Sequence, residues 1–143
     1  MTSTLISPFI DGLNTNRPRN NLPGVYLTLD KSMSAWRESN GKHKHNGIPH
    51  VTNIQRKPEG IGAEVKKIAC AETGILLQLD LVEGIARQAG KQYHKELGSG
   101  TATVLRPSQP YFGTGRTVEA DSVFASVKTL IELKSMVYTF LAW

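Results

Sequence analysis

Only one of the 143 residues is a cysteine, Cys70. A single thiol can build neither a disulfide framework nor a cysteine-based zinc site, which fits a reducing compartment. No apolar run approaches the roughly 20 residues that span a bilayer, so no membrane partner is expected. The N-terminus has no basic stretch followed by an apolar one, so no secretory signal is expected. Repeats and low-complexity tracts are absent. Gly98-Ser99-Gly100 looks like a phosphate loop but lacks the Lys-Ser/Thr that would grip a phosphate, and no small-molecule substrate is expected. His43, His45 and His50 fit no zinc spacing, and their stretch reads as a flexible basic loop.

What is present suits one soluble domain with a real core: 39% of residues are hydrophobic and 20% charged. The net charge is +5, and its placement is uneven. Between Lys31 and Lys67 stand eight Lys/Arg against three Glu, while the remainder carries nine of each sign. A localised basic segment attracts polyanions. It reads equally well as a solvated loop.

Residues 1–24 have little pattern. Four asparagines with Pro18, Pro23 and Gly24 predict an irregular N-terminal segment, with one apolar knot at Leu5, Ile6, Phe9 and Ile10. Residues 25–29, VYLTL, alternate as a strand and run into Asp30. His50 to Lys57 predicts a short strand and Lys57 to Gly60 a turn. Residues 61–70 and 75–81 predict a hairpin, and the near-continuous apolar character of ILLQLDL implies burial on both faces. Cys70 then reads as a small buried residue. Asp80 falls on the hairpin's return strand, away from the end of the first strand, and reads as structural. Residues 101–106 predict a short helix that Pro107 and Pro110 stop.

The stretch from Arg116 to Leu133 organises the rest. Thr117 to Asp121 predicts a short strand. Ser122 is placed to cap a helix whose shared face carries Phe124, Val127 and Ile131. Asp121 therefore stands where a strand gives way to a helix. Taken alone it reads as a cap or as a metal-binding carboxylate, and the second reading needs an acidic partner on a neighbouring strand. Asp30 is that partner. Residues 137–143 are a candidate for one more strand. The order of elements is that of an α/β fold with an incomplete ribonuclease H-like mixed sheet: a three-stranded antiparallel meander, a short helix, a parallel fourth strand and a helix.

Three segments carry a family resemblance: VYLTLDKSMSAW (25–36), RKPEGIGAEVKKIACAETGILLQLDLVEG (56–84) and ELGSGTATVLRPSQPYFGTGRTVEADSVFASVKTLIEL (96–133). Their order and spacing resemble the catalytic core of piggyBac-type transposases, a branch of the DDE/D recombinases. The resemblance matches Asp30 to the first catalytic Asp and Asp121 to the second, both as metal ligands. It implies a partial core over residues 25–143, a magnesium or manganese cofactor, DNA as partner and a nuclear location. Lys57, Lys66, Lys67 and Arg116 are candidates to face DNA phosphates. The family carries a third Asp further downstream, and this chain ends at Trp143 before it. The resemblance thus implies a metal-dependent DNA cleavage and strand-transfer enzyme by ancestry, inactive as this chain alone, with a full-length transposase as a candidate partner. A non-catalytic basic module that binds nucleic acid or protein is the alternative.

Overall fold

The computed structural model describes residues 6–35, 50–55, 57–58 and 60–136, and the backbone of 139–142. Trp36, His43 and His45 lie outside the described residues, and with them most of the basic loop. The elements are α1 (Ser7–Asn20), β1 (Tyr26–Ala35), β2 (Thr52–Asn53), β3 (Ile61–Cys70), β4 (Leu76–Leu81), α2 (Ile85–Ala89), α3 (His94–Leu97), α4 (Ser99–Ser108), β5 (Thr117–Ala120), α5 (Val127–Ser135) and β6 (Thr139–Ala142). Among the described residues no helix is long and apolar enough to cross a membrane.

The strands form one mixed sheet in the order β2-β3-β1-β5-β6, with β4 also paired to β3. β1 and β3 are antiparallel from Leu27↔Cys70 to Ala35↔Gly62. β3 and β4 form the expected hairpin, and Gly74 turns it with a φ of 69° that side chains with a Cβ rarely adopt. β5 lies parallel to β1, and β6 parallel to β5. With the two-residue β2 set aside, this is the ribonuclease H-like arrangement. A parallel partner cannot be reached by a tight turn, so the chain between β4 and β5 crosses over through α2, α3 and α4.

The core lies between the sheet and α4. Leu27 and Leu29 of β1, Ile68 and Cys70 of β3 and Val118 and Ala120 of β5 share one face with Val104 and Leu105 of α4 and Leu133 of α5. Each fully buried leucine contributes about 1.5–3 kcal/mol. Hydroxyls join the two helices where apolar atoms do not: the oxygens of Thr101 and Thr129, both buried, lie 3.2 Å apart.

Several expectations are corrected. The segment 1–24, expected to be irregular, contains α1, a 14-residue helix with Pro18 inside it and no buried residue. It is held from outside: the Asn14 side chain donates to the Leu79 carbonyl at 2.8 Å and accepts from the Leu79 N–H at 2.8 Å. One amide thus mimics a neighbouring strand along the outer edge of β4. Pro107 does not stop α4 but sits in its last turn, and Pro110 falls in the 3₁₀ turn Gln109–Tyr111. Ser122 does not cap the long helix. Asp121 caps a 3₁₀ turn over Ser122–Phe124, and Ser126 then caps α5, accepting from the Thr129 N–H at 3.0 Å. That interruption rotates the helix. Val127 and Ile131, expected to be buried, are 75% and 61% exposed, and Thr129 and Leu133 face inward instead.

Candidate functional site

The site begins with a register. The parallel ladder of β1 and β5 runs from Tyr26↔Thr117 to Leu29↔Ala120 and ends there. The next residues on the two strands are Asp30 and Asp121. Paired strands stand about 4.8 Å apart, so Asp30 and Asp121 follow the last ladder pair on two neighbouring strands. Open α/β sheets place ligands at such strand ends. Both residues are exposed.

Asp30 is not at the end of its strand, as the alternation of VYLTL implies. β1 continues to Ala35 because β3 supplies ladder partners through Gly62. Lys31-Ser-Met-Ser-Ala35 lacks the apolar alternation that would have betrayed this extension. What ends at Asp30 is the pairing with β5. Beyond it, that edge of β1 runs on without β5 as a neighbour.

Asp121 sits where β5 turns out of the sheet. Its Oδ1 accepts from the Val123 N–H at 3.3 Å and from the Ser122 hydroxyl at 3.0 Å. The carboxylate is therefore both a cap and an oriented acceptor, and the two readings of this residue are compatible.

The four candidate basic residues separate. Lys67 pairs in register with Asp30 across β1 and β3, and its Nζ lies 3.4 Å from Asp30 Oδ2. Lys66 points to the other face of β3. There it is paired with Glu64, and its ammonium lies 5.4 Å from the centre of the Phe124 ring. Burial holds the Lys66 ammonium below the usual lysine range, and Glu64 offsets this only in part. Arg116 stands at the other end of β5 from Asp121, about 17 Å away at 3.3 Å per residue. Its guanidinium donates to the carbonyls of Pro23 and Gly24 at 2.8–3.3 Å, pinning the chain that enters β1. Lys57 precedes β3, about 20 Å along the sheet from Lys67. Of the four, Lys67 is the one whose ammonium stands against Asp30.

Sequence reasoning missed two acids near this end of the sheet. Glu64, two positions before Lys66, is buried beside it in a cleft of about 240 Å³ that Gln88, Ser99, Thr103 and Phe124 also line. The i, i+2 spacing of Glu64 and Lys66 was the available signal. Glu119 pairs in register with Thr28 and is half-buried. Neither completes a cluster: among the described residues no group of three or more His, Cys, Asp or Glu is placed to hold a metal ion. Asp80, read as structural, is so placed: it accepts from Arg106 at 2.6 and 3.1 Å and from Lys91 at 2.9 Å.

Comparisons with known proteins agree with this architecture. The family described as Transposase IS4 matches residues 3–142. No curated protein matches the chain by sequence. Among solved structures, the fold is similar to that in a cryo-EM structure of the piggyBac transposase synaptic complex with hairpin DNA, with a TM-score of 0.76 over 97% of this chain at 21% identity. This chain spans 26% of that transposase's length. The matched architecture is the ribonuclease H-like core of that enzyme. The chain thus belongs to the Transposase IS4 family, folded as the ribonuclease H-like core of piggyBac transposase is folded.

Proposed function

We propose that this chain is the part of a transposase catalytic core that supplies two of the carboxylates for divalent-metal-dependent cleavage and strand transfer of DNA. One observation carries the reading: the β1–β5 ladder ends at Leu29↔Ala120, and Asp30 and Asp121 are the next residues on the two strands. The donor set fits the metal. Magnesium takes hard oxygen ligands, commonly one or two carboxylates with water and phosphate completing the shell. Two exposed aspartates meet that demand, and an ammonium already stands 3.4 Å from one of them. Magnesium or manganese held there would activate the attacking oxygen and stabilise the leaving oxygen of a phosphodiester.

The remaining work falls to the chain itself. The Val123 N–H and the Ser122 hydroxyl orient the Asp121 carboxylate, and the ladder fixes its distance from Asp30. DNA is the partner in this reading, and the nucleus the compartment. The chain alone is proposed to lack strand-transfer activity, because no third acid joins the pair among the described residues. A full-length transposase bound to this chain is one source of a further carboxylate.

Titration of the purified chain with Mn²⁺, followed by calorimetry, tests the reading against an Asp30→Asn/Asp121→Asn variant. Binding that the double substitution abolishes supports it. A folded chain that takes up no Mn²⁺ refutes it. A second reading, a basic module that binds nucleic acid without metal, is favoured by the net charge of +5. Salt-sensitive DNA binding that survives Asp30→Ala and Asp121→Ala would select it.

A further inference from the structure

We propose that Lys67 is a built-in competitor for the divalent cation, a tethered ammonium that occupies the Asp30 carboxylate and weakens metal loading at the Asp30–Asp121 pair. The inference rests on the reading of these aspartates as metal ligands, and it adds a residue which that reading does not need. Three observations carry it.

The first is register. Lys67 is the Cα partner of Asp30 in the β1–β3 ladder, so both side chains leave the sheet on the same face. Neighbouring Lys66 pairs with Lys31 and leaves on the opposite face. Strand alternation therefore aims Lys67, and not Lys66, at the carboxylate. The second is distance. The Lys67 Nζ to Asp30 Oδ2 separation is 3.4 Å, longer than the 2.7–2.9 Å of a strong charge-assisted hydrogen bond. The contact is electrostatic and can be displaced. The third is exposure. The side chains of Lys67 and Asp30 are 35% and 56% exposed, so a cation from solvent reaches the carboxylate without unfolding anything. An exposed pair of this kind adds little to folding stability. Its consequence is local: a positive charge stands where a second positive charge must arrive.

The size of the effect follows from Coulomb's law. A unit charge about 6 Å from a doubly charged ion, screened as in water, opposes it by roughly 1.4 kcal/mol, a tenfold change in affinity. Lysine can swing partly aside, so removing the charge should tighten binding by about threefold to tenfold.

The experiment is a Mn²⁺ titration of the full chain by calorimetry, run on the wild type, Lys67→Met, Lys67→Gln, Lys67→Arg and Asp30→Asn/Asp121→Asn. Circular dichroism confirms that each is folded. The expected result is tighter Mn²⁺ binding by about threefold to tenfold in both neutral variants, wild-type affinity in Lys67→Arg, and no binding in the double Asn variant. Equal affinity in the wild type and the neutral variants, with binding still lost in the double Asn variant, overturns the role of Lys67 and leaves the metal reading standing. No binding in the wild type or in either neutral variant overturns both.

Discussion

Replacing Asp80 with alanine should destabilise this fold more than any change at the candidate site. Asp80 is only 9% exposed, and it joins three elements. Its Oδ2 accepts from Arg106 Nη2 at 2.6 Å and Nε at 3.1 Å, which ties β4 to α4. Its Oδ1 accepts from Lys91 at 2.9 Å, which ties β4 to the segment between α2 and α3. Removing the carboxylate strands two cations that have little water to turn to: the Arg106 side chain is 11% exposed and the Lys91 side chain 19%. Arg106 keeps one fallback and Lys91 two. Arg106 still reaches the Gln92 carbonyl at 3.1 Å, and Lys91 still reaches Glu83 at 3.2 Å and the Leu81 carbonyl. Breaking a buried ion pair from one side costs about 3–5 kcal/mol, and the fallbacks place Asp80→Ala at the lower end, about 3 kcal/mol. Domains are stable by only about 5–15 kcal/mol, so the variant should lose about a fifth to three fifths of its stability. Urea denaturation followed by circular dichroism reads this as a lower midpoint at unchanged slope. The double substitution Asp80→Leu/Arg106→Met should recover most of the loss, because it removes the Arg106 charge with the carboxylate and Lys91 keeps Glu83. A midpoint for Asp80→Ala within about 1 kcal/mol of the wild type would refute the reasoning, since the network would then behave like a solvated surface pair.

Two further outcomes are expected. Asn14→Ala removes both bonds to Leu79 and bares the β4 edge, so it should cost about 1–2 kcal/mol and increase self-association, measured by urea midpoint and light scattering. Because burial lowers the Lys66 pKa in the folded chain, the unfolded chain binds more protons at pH values between that lowered value and 10.5. Stability should therefore rise with pH through that window, and Lys66→Met should flatten the rise in a pH series of thermal melts.

The site was legible to a degree that the packing was not. Asp121 could be placed at a strand end because TVEA alternates and the capping chemistry that follows is local. Asp30 could be nominated because VYLTL alternates up to it. Their place just beyond the last pair of one parallel ladder also followed, once the meander and crossover pattern implied that the two strands pair in parallel. The extent of β1 was hidden, since residues 31–35 carry no apolar signal and are held in the strand by β3. α1 was hidden for a related reason: it buries no side chain, so no periodicity marks it, and three asparagines and Pro18 argue locally against a helix. The inward face of α5 was misread because a 3₁₀ turn breaks the phase between Phe124 and Val127.

The sequence by itself determined the strands with alternating or continuous apolar residues, the hairpin between them and Asp121 at a turning point of the chain. These depend on local periodicity and on side chains that bond their own backbone. Tertiary structure alone decided which basic residue meets which acid. Lys66 and Lys67 are adjacent in sequence and chemically identical. One is buried against Glu64 and Phe124, and the other faces Asp30, because successive residues of a strand leave the sheet on opposite faces and only the β1–β3 register says which face holds the carboxylate.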